Sequence, residues 1–312
     1  NVLDNDFTGA VSLKSHHVRV KDVNGIDLGN ITSASGGVLQ VTAGGDVTNT
    51  GILNINGVTT ISASGQDVAL NNPDNNFRDD KAVSITARNV DVVDRTGIKL
   101  GVSTVTGTYK ITAGDAVTNS DTLLITGATT INASGQDVTL NSSDNNFTGA
   151  VSITGKIVAV TDTNAIILGA STVSETYTVT AGDDVTNNDT LLITGATTIN
   201  ASGQNVTLDH PSNNFIGTVG IIGADVEVVD VNTLVLGLST VSGTYEATAT
   251  AGNITQSLVT GNRLSISGTT TLQTSAEAAT IDLSNTNNGF TGALLITTND
   301  NDSPADTTYA AH

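Results

Sequence analysis

The chain has no Cys, Met or Trp and only 3 Pro, and aromatics make up 3% of its 312 residues. Without Cys there are no disulfides, no zinc-thiolate sites and no thiol nucleophile. Charged residues are also few, 13% of the chain, and Lys+Arg 11 stand against Asp+Glu 30 for a net charge of −19. A field of that sign makes nucleic acid and anionic membrane surfaces poor partners. No stretch approaches the ~18 consecutive apolar residues of a membrane helix, so membrane insertion is not expected. The chain opens with neither a Met nor a charged-then-apolar leader, and it reads as a processed or excised piece. Over the first 298 residues no segment holds a 3.6-residue apolar period, so no helix is expected there.

What is present is 38% hydrophobic residues, enough for a core, together with 32 Gly, 52 Thr and 32 Asn. The five Phe residues, Phe7, Phe77, Phe147, Phe215 and Phe290, all lie in one short context, for example DNDFTGAVSL, DNNFTGAVSITG and NNGFTGALLIT. Their spacings of 70, 70, 68 and 75 define a long repeat, with copies starting near positions 4, 74, 144, 212 and 287. A second phase is marked by Tyr109, Tyr177 and Tyr245, spaced 68 apart, with Leu39 in the equivalent slot of the first copy. Two-residue insertions in NITSASGG and FRDDKAV lengthen the first two copies, and their Gly, Ser and Asp content places them in turns.

Within each copy the text breaks into pieces of three to six residues rich in Val, Ile and Thr, such as IVAV, TYTVTA and LLIT. Gly, Asn, Asp and Ser separate them. A unit of 68 divides into three segments of about 22 to 23 residues, the size of one turn of a parallel β-helix. We therefore expect an all-β parallel β-helix, a β-solenoid of roughly 13 to 14 rungs with three strands each. It should run as one continuous body over 1–298, followed by a polar tail over 299–312. A string of β-sandwich modules fits less well, because such domains need about 100 residues.

The segments TAGGDVTNTGILNINGVTTISASGQDV and TAGDDVTNNDTLLITGATTINASGQNV, echoed at TAGDAVTN and TAGNITQ, resemble the filamentous-haemagglutinin type of secreted bacterial adhesin. That resemblance implies a right-handed β-helix and an extracellular or cell-surface fibre. It covers the style of the rungs over most of the chain. The family's N-terminal secretion domain is not visible here, and a repeat of about 68 residues is not that family's usual short one.

Parallel β-helices also house carbohydrate-active enzymes, so paired carboxylates on one face were sought. Candidates are Asp79–Asp80, Asp183–Asp184, the group Asp225, Glu227 and Asp230 read as the outward face of a strand, and Arg88, Asp91 and Asp94 on similar ground. The two adjacent pairs fall in turns, where carboxylates usually bond local amides. No cofactor is expected; calcium is the one ion that Asn and Asp at stacked corners could hold. His16–His17, as neighbours in a strand, would point to opposite faces, and with Lys14, Arg19 and Lys21 they form a basic patch suited to an acidic neighbour. The charge is uneven: net −2 through Lys110 and −17 beyond it.

These readings point to a non-enzymatic, exported structural or adhesive protein, a segment of a bacterial surface fibre. It would act as a stiff spacer, with head-to-tail contacts to further copies of itself or to flanking repeats, and with a cell-surface glycan as a candidate ligand. A carbohydrate-binding or carbohydrate-active β-helix is the alternative. Ice binding is the third reading, although the Thr-x-Thr pairs Thr104/Thr106 and Thr178/Thr180 fall in different phases of the repeat.

Overall fold

The computed structural model describes residues 5–259 and 261–299. Among them there are 39 strands and no helix, and every strand pairing is parallel. The architecture is a parallel β-solenoid of about 14 turns. The chain divides into two compact units, Asn1–Thr163 and Asn164–His312. Beyond Asn299, the expected polar tail lies outside the described residues.

In the first unit the chain passes alternately through two sheets. Val90–Asp94 lies in one sheet, followed by Ile98–Leu100 and Ser103–Val105 in the other, then Tyr109–Ala113 back in the first. Residues stacked on neighbouring turns are about 20 apart in sequence: Val90 on Tyr109, Tyr109 on Thr129, Thr129 on Val151. The second unit is built the same way, with Tyr177 on Thr197 and Thr197 on Val219.

This corrects the division into three strands per rung. Pieces separated by a break in the sequence pattern often belong to one sheet. The single strand Ala82–Ala87 pairs with Ile98–Leu100 through Ala82 and Val83 and with Ser103–Val105 through Thr86 and Ala87. Gly101 and Val102 form a bulge between the two short strands and not a corner leading to a third sheet. From Leu39 to Tyr109 the chain makes seven passes, or three and a half turns. Because seven is odd, equivalent residues alternate between sheets. In the first unit Leu39 and Tyr109 lie in opposite sheets. In the second unit Tyr177 and Tyr245 do likewise.

The interior follows from strand alternation. Tyr109–Ala113 buries Tyr109, Ile111 and Ala113 while Lys110 faces out. Stacking these strands gives inner ladders such as Val92–Ile111–Ile131–Ile153. The two insertions read from sequence do fall in turns, at Ala34–Gly37 and at Arg78–Lys81. Elsewhere the repeated Ala-Ser-Gly-Gln text forms a turn closed by Gln136 N donating to Ala133 O at 2.9 Å, with Gly135 at φ +75. Corners come so close that only Gly fits. A Cβ on Gly127 would lie 2.4 Å from the carbonyl oxygen of Gly107, and one on Gly149 would lie 2.4 Å from that of Gly127.

Candidate functional site

The repeat markers are interior residues. Phe77, Phe147 and Phe215 are fully buried, as are Tyr109, Tyr177 and Tyr245. Phe147 and Phe215 stack in register on Ile125 and Ile193 of the preceding turn. Phe7 departs from its equivalents: it is 40% exposed, because no such Ile lies over it among the described residues. Phe290, stacked on Ile266, is half-buried. Burial raises the phenol pKa of each of the three Tyr well above its usual value. The Ser103 hydroxyl lies near enough to the Tyr109 phenol to oppose that shift. No hydrogen bond of normal geometry closes between the two groups, and the Ser103 hydroxyl donates to Gly101 O at 3.1 Å instead.

Two polar clasps accompany Phe77, Phe147 and Phe215, while Phe7 and Phe290 each show one of them among the described residues. In the first, one Asp carboxylate takes the Phe amide and the amide two residues after itself. Asp94 accepts from Phe77 N at 2.8 Å and Thr96 N at 2.9 Å, and Asp230 accepts from Phe215 N at 3.0 Å and Asn232 N at 2.7 Å. Asp22 accepts from Phe7 N at 3.0 Å and Asp162 from Phe147 N at 2.9 Å. In the second clasp, an Asn side chain is held across turns. Asn145 Oδ1 accepts from Asn119 Nδ2 at 2.8 Å and Leu123 N at 3.1 Å, while its Nδ2 donates to Leu140 O at 3.2 Å and Thr161 O at 3.3 Å. Asn49–Asn75 and Asn187–Asn213 repeat it, and Gln256–Asn288 substitutes for it in the last copy.

Asp94 and Asp230 are therefore not outward acids, a correction to the sequence reading. In Val226–Asp230 the buried positions are Val226, Val228 and Asp230, so strand parity puts the carboxylate inside. Burial raises the Asp94 pKa, and it raises that of Asp230 to about 6 against the opposing pull of the two amides. The third member of the group, Asp225, is exposed. Its carboxyl is held below the usual range by the Thr244 amide at 2.7 Å and hydroxyl at 2.8 Å. Glu227 is half-buried and stacks in register on Glu246; burial, then Asp209 and Glu246, raise its pKa.

Of the remaining candidates, Asp79 forms no hydrogen bond or ion pair among the described residues, Asp183 accepts from Asp184 N at 2.9 Å, and the others are likewise engaged in structure. Arg88 grips Asp67 with two bonds of 2.8 Å, holding that carboxyl below its usual range, and Asp91 meets Lys110 at 3.2 Å. Asp80 pairs with Lys81 at 2.8 Å, and Asp184 takes Asn205 N at 2.8 Å. His16 and His17 lie on a bend between strands and not in one, so their rings meet edge to face at 4.2 Å instead of pointing apart. Among the described residues no group of three or more His, Asp or Glu converges to hold a metal ion. The clefts are shallow; one is lined by Phe7, Thr8, Gly25, Asp27 and Asp46, another by Leu238, Gly261, Arg263 and Asn287.

A family model described as Repeats of unknown function (DUF5649) matches residues 15–85, 87–154, 155–222 and 223–297. The chain belongs to this repeat family. No curated protein and no solved structure matches it. Each DUF5649 repeat contains one full set of the interior features: one clasp Asp, the Tyr or Leu39 slot, the amide clasp and one Phe. Because Asp94 binds Phe77, the Asp of one repeat fastens the Phe of the repeat before it.

Both clasps escaped the sequence reading, although each leaves a signal. Every clasp Asp is followed two residues later by Asn or Thr, the pattern of an Asx turn. The paired Asn residues stand 26 apart in each of the first three repeats. The extra length of the last spacing, 75 residues, was given no place in the sequence reading. In sequence, 257–263 stands where Ser120–Thr122 stands in the second repeat, and of its described residues Leu258 is 71% exposed and Val259 67%.

Proposed function

We propose that this chain is a non-enzymatic structural or adhesive segment of an extracellular bacterial surface fibre, serving as a stiff spacer between other parts of its parent protein. The observation that carries this reading is where the repetition lies. The groups repeated in every copy are buried fasteners, Asp on Phe and amide on amide, while the exposed carboxylates differ from copy to copy, and several, such as Asp225 on Thr244 and Asp80 on Lys81, sit in local bonds. A catalytic role would need the reverse, a few convergent polar groups in a concave site. Continuous main-chain ladders with internal polar locks resist extension, and that is what a spacer requires. The resemblance of the TAG-x-x-VTN text to secreted adhesins supports an address outside the cell. Head-to-tail contacts with further copies, or a cell-surface glycan held on an outer face, would add adhesion to that spacer.

Single-molecule force spectroscopy on the whole chain tests the mechanical role. The expected record shows rupture peaks, each releasing a length compatible with whole repeats, about 240 Å for 68 residues. Smooth extension at the low forces of an unstructured polypeptide would end this reading. Protease treatment of intact producing cells tests the address, with loss of the chain expected.

A further inference from the structure

We propose that the basic corner formed by Lys14, His16, His17, Arg19 and Lys21 is a contact surface for a second copy of this chain, which it meets through the acidic second unit. This deepens the self-association part of the proposed function and rests on it; the spacer role stands without it.

The corner carries more positive than negative charge. Of the acids beside it, Asp22 is buried and committed to the Phe7 and Asn24 amides. Asp6, exposed on the segment whose Asn5 side chain donates to Lys21 O, forms no ion pair among the described residues, so Lys14, Arg19 and Lys21 outnumber it at the surface. Arg19 and Lys21 project from the outer side of Val18–Asp22, two residues and about 6.6 Å apart. Lys14 leaves the preceding strand, Val11–Ser15, and the two imidazoles occupy the bend between. The residues in register on the next turn are neutral: Gln40 beside Arg19, Thr42 beside Lys21 and Thr32 beside Lys14. Elsewhere Lys81, Arg88 and Lys110 each meet a carboxylate, whereas among the described residues no corner side chain does.

The complementary charge is in the same sequence. From Asn164 onward one basic residue, Arg263, stands against fourteen acidic ones. Glu227 and Glu246 stack in register there, about 4.8 Å apart, with Asp209 close enough to act on Glu227. Like charges so placed repel one another and favour an incoming cation. Two copies of net charge −19 also repel as wholes. That repulsion acts over about 30 Å at 0.01 M salt but only about 8 Å at 0.15 M, where the contact between corner and acidic face survives. At 1 M the screening length of about 3 Å weakens the contact too. Association should therefore peak at intermediate salt.

The test is sedimentation velocity of the full chain at these three salt concentrations, over a range of protein concentrations. The expected result is a concentration-dependent heavier species, most abundant near 0.15 M. The double variant Arg19→Glu/Lys21→Glu should weaken it at least about tenfold. A control carrying the same charge change elsewhere, Arg95→Glu/Lys99→Glu, should weaken it far less. All four positions are at least partly exposed, so far-UV circular dichroism should be unchanged in both. A single monomeric species at all three salts overturns the proposal, as does equal loss in both variants. A monomeric chain that binds dextran sulfate through Arg19 and Lys21 also overturns it and assigns the corner to a polyanionic polysaccharide. None of these outcomes bears on the force measurement, so the two readings fail separately.

Discussion

One turn after Leu39, Tyr109, Tyr177 and Tyr245 the interior carries Thr59, Thr129, Thr197 and Thr270 in register. All four are at most 1% exposed, and none of their hydroxyl oxygens has a hydrogen-bond partner. Thr129 lies between Tyr109 and Val151, so its hydroxyl leaves water on folding and gains nothing in return. Such a group opposes folding by about 1–3 kcal/mol. Thr129→Val keeps the branched shape, suits a strand equally well and removes that penalty. The expected gain is about 1.5 kcal/mol, in the lower half of that range. With a urea slope of about 3 kcal/mol per molar, the unfolding midpoint should rise by about half a molar. Equilibrium unfolding followed by tyrosine fluorescence and far-UV circular dichroism reads it. Thr129→Ser is the companion: it keeps the hydroxyl and deletes the methyl, and it should lose about 1 kcal/mol to the cavity. Thr59→Val combined with Thr129→Val should be additive within about 0.5 kcal/mol, since the two sites share no partner. A lower midpoint for Thr129→Val would refute the reasoning, because the hydroxyl would then be satisfied in the folded state.

Gly127→Ala should destabilise the first unit by more than about 2 kcal/mol, since the new methyl meets backbone that cannot yield, whereas Gly289→Ala, with open space around it, should be near neutral in the same urea assay. Asn145→Ala should cost at least about 3 kcal/mol, removing the partner of one N–H of the Asn119 amide, of Leu123 N and of Leu140 O in the interior; an unchanged midpoint would mean that the clasp is not a fastener. The raised pKa of Asp230 predicts a pH dependence. Its favourable contribution is complete below the unfolded value of 3.8 and is lost as pH rises through about 6, so stability relative to Asp230→Asn should fall across pH 4–6 and level off above. A difference between the two proteins that does not change with pH would count against this.

Much of the fold was legible because the repeat is long and exact in its phases. Five Phe in one context and three Tyr at a fixed spacing announce stacked copies, and short Val/Ile/Thr pieces between Gly and Asn announce strands. The interior side of a strand was legible too, by parity, and applying it to VEVVD would have placed Asp230 inside with Val226 and Val228. The clasps were half-legible. Their spacings are in the text, but which amide each carboxylate takes depends on a turn folded 15 to 17 residues away.

From composition and spacing alone, then, came the absence of helix and the parallel stacking, because these follow from local backbone preference and from copies that must bury the same face; the turn was read as 22 to 23 residues, where the stacked pairs stand about 20 apart. The number of sheets came only from tertiary pairing. Whether Val117–Asn119 and Leu123–Ile125 are two faces or one bulged face is decided by their partners on adjacent turns, not by the residues between them. That pairing makes each repeat seven passes long, and an odd number sends every second copy to the opposite sheet. It also separates Phe147 from Phe7: the same residue in the same local text is buried where an Ile from the preceding turn covers it, and half-exposed at Phe7, where none of the described residues does.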